Sequence, residues 1–449
     1  MFTRLKQVSK SSLVKDSAKL ASSNILLYLL PFIVTPILSR LYDPSFFGEW
    51  GVFSSTYQIV NVILFLCYDH AIVKASEREY PSMCALSLFV AILITIITIL
   101  IFYTGTLLGI AYFVDFPCKG NLFLMLIFTS LTVILQNIAN RMEKYWVMSF
   151  ASFILGLSQA ACRIFLGFYV LFPNGLIAGT TIAQLLNVGF LLIFIWRVLD
   201  KPFFKSVSYN SIKRVATKYK KFPLYDAPAT LLLFATFNLT IIILSLYHTK
   251  AEIGCISIIH QMLLLPISLI GGAMGRVYYK RITDESTTND SAATVAISLK
   301  MIKIVLLISV LPTLFITLGG DKLINIFLGE KWENAGNVAI CLAIWSIPNI
   351  LTQPLVPIFR KDNKQNYMLY YNVLNFLLGV GSLILTCSLG ISMFISLFIY
   401  ASLSAFANYL MFANIVKLTG VRAKQFMSAK VVSLHLFSLV MIIVRVVYI

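Results

Sequence analysis

Apolar runs of about 20 residues recur along the whole chain, separated by short gaps in which the charged residues collect. They lie at approximately 20–40, 51–69, 83–105, 121–140, 146–171, 175–197, 224–247, 252–275, 301–320, 335–358, 366–389 and 391–416, with a further run at 431–448. A helix of ~20 apolar residues covers the hydrocarbon core of a bilayer. The pattern therefore predicts an all-α polytopic membrane protein of twelve transmembrane helices. The last run makes a thirteenth if it crosses, and the side on which the C-terminus lies depends on it.

The gaps are not equivalent. Most of the 36 Lys and Arg residues fall in the leader or in every second gap, as with Lys74 and Arg78, Arg141 and Lys144, or Arg360, Lys361 and Lys364. Arg276, Lys280 and Arg281 form another such group, as do Arg422, Lys424 and Lys430. The largest is central, where Lys201, Lys205, Lys213, Arg214, Lys218, Lys220 and Lys221 face one loop acid, Asp200. Lys and Arg accumulate in cytoplasmic connections, so these gaps and the N-terminus are assigned to the cytoplasm. The intervening connections, such as Phe172-Pro173-Asn174-Gly175 and Leu389-Gly390, are short or weakly charged and face outward.

Composition agrees. Only 12% of residues are charged, 59% are hydrophobic and the mean hydropathy is +0.87, which leaves too little charged surface for a water-soluble globule of 449 residues. The net charge of +18 would point to nucleic acid in a soluble chain, but here the cations are loop anchors beside anionic headgroups. Nucleic acid is excluded as a partner on that ground, and membrane lipid is expected. Seven cysteines without Cys-x-x-Cys spacing read as packing residues. The basic leader 1–19 carries scattered apolar residues and no small-residue cleavage site, so it reads as an amphipathic surface helix.

The two halves share a layout. Runs 5 and 6, like runs 11 and 12, are joined by tight uncharged turns, and each half starts from a basic segment. The chain divides accordingly into the leader 1–19, an N-terminal six-helix lobe 20–200, a basic linker 201–222, a C-terminal six-helix lobe 223–416 and a segment 417–449 with the additional run. Two such lobes can rock about a central site, as transporters do. Pro31 and Pro36 in the first run, and Pro223 and Pro228 at the seventh, are candidate kinks, although static membrane helices carry such prolines too.

Chemistry for catalysis is not legible. No Gly-x-x-x-x-Gly-Lys-Ser/Thr, His-Glu-x-x-His or nucleophile elbow occurs, and no outward gap is long enough for a soluble active site. The chain reads as a non-enzyme without metal or cofactor, driven by an ion gradient or by its substrate gradient.

Ionisable groups at membrane depth are the informative residues, because they are costly there and usually face a cavity or a partner. Arg163 lies inside the fifth run, roughly 25 Å from its start at a 1.5 Å rise per residue. It either lines a cavity or bonds the carbonyls of a neighbouring helix. Arg40 closes the first run as an interface anchor or a cleft cation. His260, Gln159 and Asn61 join them as candidate lining of a cavity for a hydroxyl-rich ligand, with interhelical hydrogen bonding the alternative for each. Asp69 and Asp226, near the cytoplasmic surface, are candidates for ion coupling, although helix capping also accounts for Asp226.

A resemblance adds to this reading. Lys19-Leu20-Ala21-Ser22-Ser23-Asn24, Thr35-Pro36-Ile37-Leu38-Ser39-Arg40-Leu41-Tyr42-Asp43-Pro44 and Phe46-Phe47-Gly48-Glu49-Trp50 resemble the opening of bacterial O-antigen and capsular polysaccharide flippases. So do Tyr219-Lys220-Lys221-Phe222-Pro223, Pro266-Ile267-Ser268-Leu269-Ile270-Gly271 and Phe327-Leu328-Gly329-Glu330-Lys331-Trp332, in the same order. The resemblance, to the multidrug, oligosaccharidyl-lipid and polysaccharide exporters, implies a V-shaped pair of six-helix lobes with alternating access. It also implies passage of undecaprenyl-pyrophosphate-linked O-antigen repeat units from the cytoplasmic to the periplasmic leaflet of a bacterial inner membrane. Arg163 and Arg40 would then meet the pyrophosphate, and a polysaccharide polymerase with its chain-length machinery would be partners. The alternatives are a drug/cation antiporter of the same superfamily and a membrane O-antigen polymerase or ligase.

Overall fold

A computed structural model of the chain describes residues 30–72, 75–196, 207–286, 291–362, 364–426 and 429–447. The expected leader helix 1–19, the start of the first run and residues 201–206 of the linker lie outside the described residues. Those described are helical throughout, with no strand among them. Nine of their helices are long and apolar enough to cross a membrane, and Leu30–Leu41, Phe234–Ser245 and Ser433–Val447 are shorter apolar stretches. The chain is a multi-pass membrane protein.

The chain divides into two compact units. One comprises the described residues up to Tyr42 together with Val52–Phe234; the other comprises Asp43–Gly51 and the described residues from Ala235 onward. The helix Pro44–Ile63 thus begins in one unit and ends in the other.

In the first unit, α1 (Leu30–Leu41) leads into α2 (Pro44–Ile63), followed by the short α3 (Tyr68–Ile72) and by α4 (Tyr80–Leu107). Then come α5 (Lys119–Arg141), α6 (Tyr145–Tyr169), α7 (Gly175–Trp196) and the amphipathic α8 (Tyr209–Lys218). The expected run 51–69 is not one helix. Leu66 and Cys67 take positive φ of 47° and 60°, which ends α2 early and sets Asp69 and His70 on the separate α3. Helices α6 and α7 pack closely because the turn between them is short. The Asn174 side chain caps α7, accepting from the Leu176 and Ile177 amides at 3.0 and 3.3 Å.

Helix α8 is fastened edge-on to the start of α4. Val215 is fully buried, Ser82 bonds Ser211 at 2.8 Å, and the Lys218 ammonium reaches both carboxylate oxygens of Glu79 at 2.8 Å. A capping box between Ser208 and Ser211 starts the helix.

The second unit contains α9 (Ala227–Ser245) from Ala235 on, α10 (Lys250–Ser286), α11 (Ser291–Phe315), α12 (Asp321–Leu328), α13 (Glu333–Thr352), α14 (Gln365–Ser388), α15 (Met393–Thr419) and α16 (Ala429–Val447). Helix α13 is its centre, buried along almost its whole length and packed by α10, α11, α15 and α16. The segment Asp43–Gly51 joins this unit through a backbone-to-backbone crossing with α10. A Cβ at Gly48 would fall 1.8 Å from the Lys250 carbonyl oxygen, and one at Gly254 would fall 1.9 Å from that of Pro44. Only glycine permits the approach. Phe47 meets Trp332 edge-on at 4.9 Å, and Asp43 pairs with Lys331 at 2.6 Å.

Candidate functional site

Helix α7 carries Thr180, Thr181, Gln184 and Asn187 at spacings that keep Thr180 and Gln184 on one face, one turn apart, with Asn187 following. All four are buried. In lipid each polar group needs a protein partner, and neighbouring helices of the same unit supply most of them.

Arg163 on α6 supplies the strongest. Its Nη2 donates to the Thr180 hydroxyl at 2.7 Å, and its Nε donates to the same hydroxyl at 3.1 Å and to the Leu176 carbonyl at 3.2 Å. Gln159, one turn earlier on α6, reaches Thr180 at 3.5 Å. The Arg163 carbonyl accepts from the Tyr42 hydroxyl at 2.7 Å. Gly179 admits the arginine, since a Cβ there would lie 2.9 Å from the Arg163 backbone nitrogen. Deeper along α7, Thr181 accepts from the Asn121 amide at 3.1 Å, and Gln184 donates to Thr132 at 3.0 Å. Thr129 completes the chain by bonding Tyr57 at 2.7 Å. Asn187 is fully buried, and neither of its amide atoms has a hydrogen-bond partner among the described residues.

The structure therefore brings Arg163 and Gln159 together on Thr180, and it sets the guanidinium against a helix carbonyl and a hydroxyl. Asn61 is half-buried one turn beyond Tyr57 on α2. Arg40 is exposed and donates to the Pro36 carbonyl of its own helix at 2.8 Å. His260 belongs to the second unit, where its ring lies 5.6 Å from both Phe237 and Trp345. Trp345 Nε1 is buried there without a hydrogen-bond partner among the described residues.

Asp69 and Asp226 are brought to one place. Helix α3 packs on the π-helical turn Phe222–Asp226, and both carboxylates bear on the Cys67 thiol, which burial first and these charges second push up to about 11. Burial raises the Asp69 carboxyl, opposed by the His70 imidazole 3.7 Å away. Asp226 is exposed, directly before α9, where a carboxylate also suits the helix N-terminus. Among the described residues no group of His, Cys, Asp and Glu is arranged to hold a metal ion.

Thr180, Thr129, Thr132, Thr181 and Asn121 were not singled out from sequence. For Thr180 the signal is its i, i+4 spacing with Gln184, which marks one wet face of α7, whereas Asn121, Thr129 and Thr132 lie on α5.

A family model described as "Polysaccharide biosynthesis protein" matches residues 37–337, well over half of the chain. The chain belongs to the polysaccharide biosynthesis protein family. No curated protein matches its sequence. This polysaccharide biosynthesis protein shares its fold with the lipid II flippase MurJ in an inward closed conformation, with a TM-score of 0.69 and 13% identity over 95% of this chain and 91% of that one. It is similarly like an inward-facing multidrug resistance MATE family transporter of the MOP superfamily, with a TM-score of 0.62 and 13% identity over 88% of this chain and 96% of that one. The expected exporter-type helical fold is thereby present, and two of the segments that carry the resemblance, 46–50 and 327–332, meet at Phe47 and Trp332.

Proposed function

We propose that this protein is a flippase that carries undecaprenyl-pyrophosphate-linked O-antigen repeat units from the cytoplasmic to the periplasmic leaflet of a bacterial inner membrane. Its N-terminus would be cytoplasmic, two six-helix lobes would alternate access, and an ion gradient would drive the cycle through Asp69 and Asp226. The observation that carries the reading is the family match over residues 37–337 on a fold shared with a lipid II flippase.

The physics fits the role. A lipid-linked glycan cannot cross hydrocarbon unaided, because its hydroxyls and phosphate charges would lose water without replacement. Arginine offers a planar, permanently charged partner for phosphate. Arg40 would meet a pyrophosphate from the exposed end of its helix, whereas buried Arg163 can do so only after its bonds to Thr180 open. In the second unit, the half-buried His260 and Phe237 would be the rings open to a sugar, with the buried Trp345 packed behind them. Gln159 and Asn61 would add amide contacts, and a polysaccharide polymerase with its chain-length machinery would take the product.

Deletion of the gene, followed by tracing of lipid-linked repeat units, tests the proposal. Accumulation of single units reachable only from the cytoplasmic leaflet is expected. Accumulation in the periplasmic leaflet would instead assign the polymerase or ligase role. Normal surface polysaccharide with altered drug resistance would assign the antiporter role.

A further inference from the structure

Helices α10 and α11 run antiparallel and are tied by the buried Tyr278 hydroxyl, which bonds Ser298 at 2.9 Å. Beside this bond the two helices leave an open groove of about 580 Å³. Its walls include Met274, Val277, Ile297 and Met301, and two cations, Arg281 and Lys300, line the same space. Both cations are exposed. From Lys300 the surface continues along one face of α11 as Ile304, Leu307, Leu311 and Phe315, each between 39% and 59% exposed. A site for a chain with a charged head has this form: cations at one end and an apolar track of about 20 Å leading away at 1.5 Å per residue.

We propose that this groove binds an anionic glycerophospholipid, its phosphate held by Arg281 and Lys300 and an acyl chain laid against Met274, Val277, Ile297 and Met301. Three considerations select that occupant. Basic pockets between spanning helices at the cytoplasmic side suit anionic headgroups, and the alternation of basic gaps assigns this end of α10 to that side. A free phosphate would gain nothing from the apolar walls, whereas an acyl chain gains close packing against them. Phospholipid is also the solvent of this surface and far exceeds any biosynthetic lipid in amount, so mass action fills the groove with it. The inference does not depend on the cargo proposed above.

The test uses the full chain in nanodiscs and in detergent, with native mass spectrometry to count retained lipid and phosphatidylglycerol or phosphatidylcholine as probes. Phosphatidylglycerol should be retained at least about tenfold better than phosphatidylcholine, and the preference should shrink as salt rises. The double variant Arg281→Gln with Lys300→Gln should bind phosphatidylglycerol roughly thirty-fold more weakly, at ~1 kcal/mol per cation removed. Lys303→Gln, which removes a neighbouring charge outside the groove, should bind normally. Val277→Trp should weaken binding with both cations in place, and it keeps the test open if the double variant does not accumulate. Equal retention of the two lipids, or an equal loss in Lys303→Gln, would overturn the site. Retention of a polyprenyl phosphate that phosphatidylglycerol does not displace would also overturn it, in favour of the cargo's own tail.

Discussion

The Arg163 guanidinium and the Thr180 hydroxyl are joined twice, from Nη2 at 2.7 Å and from Nε at 3.1 Å, so that one side chain fastens α6 to α7 from within. Thr180→Val keeps the branched shape and removes the acceptor. Each of Arg163→Ala and Thr180→Val should destabilise the purified protein by about 1–2 kcal/mol. The double variant should fall short of their sum by about 1 kcal/mol. Additive losses in SDS or thermal unfolding would show that the pair does not act as a unit. Surface polysaccharide reads the other role: Arg163→Lys should retain part of it and Arg163→Ala none. Equal amounts from both variants and the unmodified protein would reject a cargo contact for Arg163.

Gly48 and Gly254 meet across α2 and α10 at distances that leave no room for a methyl group, since each added Cβ would strike a carbonyl oxygen. Gly48→Ala or Gly254→Ala should force the helices apart and cost about 1–3 kcal/mol of stability. Gly381→Ala is the comparison, because nothing lies within 4 Å of a Cβ there. It should be neutral or stabilise by up to about 1 kcal/mol through helix propensity. Melting temperatures of the three variants in one detergent decide the matter.

The apolar runs made the spanning helices legible because hydrocarbon imposes a length on any helix that crosses it. Local backbone geometry was less legible. Nothing in the apolar run 51–69 announces that Leu66 and Cys67 adopt positive φ, a conformation costly for side chains with a Cβ and held by surrounding packing. The site divides the same way. Arg163 stands out in any apolar run, but its partner Thr180 does not, because a threonine that bonds its own helix, as Thr180 does to the Leu176 carbonyl at 2.7 Å, is tolerated in lipid without further partners. Arg163 belongs to the first unit and His260 to the second. One-dimensional order carries no information on which wet faces meet.

Trp332 is fully buried against Phe47, while the adjacent Lys331 to Asp43 pair is more than half exposed on both sides. Burial and charge therefore predict opposite outcomes for neighbouring substitutions. Trp332→Ala should cost about 3–5 kcal/mol and deplete the protein from membranes. Lys331→Ala should cost no more than about 1 kcal/mol, because water and salt screen the pair. Quantified membrane levels and unfolding midpoints test both.

Glu79 is held below the ordinary carboxylate value chiefly by its hydrogen bond from Lys218, and Lys218 is raised in turn by Glu79. A depressed carboxylate stabilises the fold above its unfolded value and loses that contribution as pH falls through the folded one. A raised lysine stabilises below its unfolded value and loses that contribution as pH rises through the folded one. The clamp on α8 should therefore hold across neutral pH and weaken at both extremes, by a small amount because Lys218 faces water. Protection factors of the amides in Tyr209–Lys218, taken relative to the intrinsic exchange rate at each pH, should fall in Glu79→Gln and in acid. Unchanged protection would place the anchoring in Val215 and the Ser82 to Ser211 bond alone.

Asp69 has the opposite sign. Burial raises its carboxyl, so the fold favours the protonated form. Its stabilisation is present below the unfolded carboxylate value and is lost as pH rises through the folded one. A carboxyl in that state can take up a proton on one side of a gradient and release it on the other. Asp69→Asn should accumulate normally and unfold with less pH dependence than the unmodified protein, because the titrating group is gone. In vesicles with an imposed proton gradient, the variant should move lipid-linked cargo at a rate that no longer follows the gradient. Asp226→Asn should weaken that dependence without removing it, since Asp226 is exposed and shares with Asp69 only the neighbourhood of the Cys67 thiol. Transport by Asp69→Asn that still follows the proton gradient would exclude this carboxyl as the coupling group and return the pair to a purely structural role at the junction of α3 and α9.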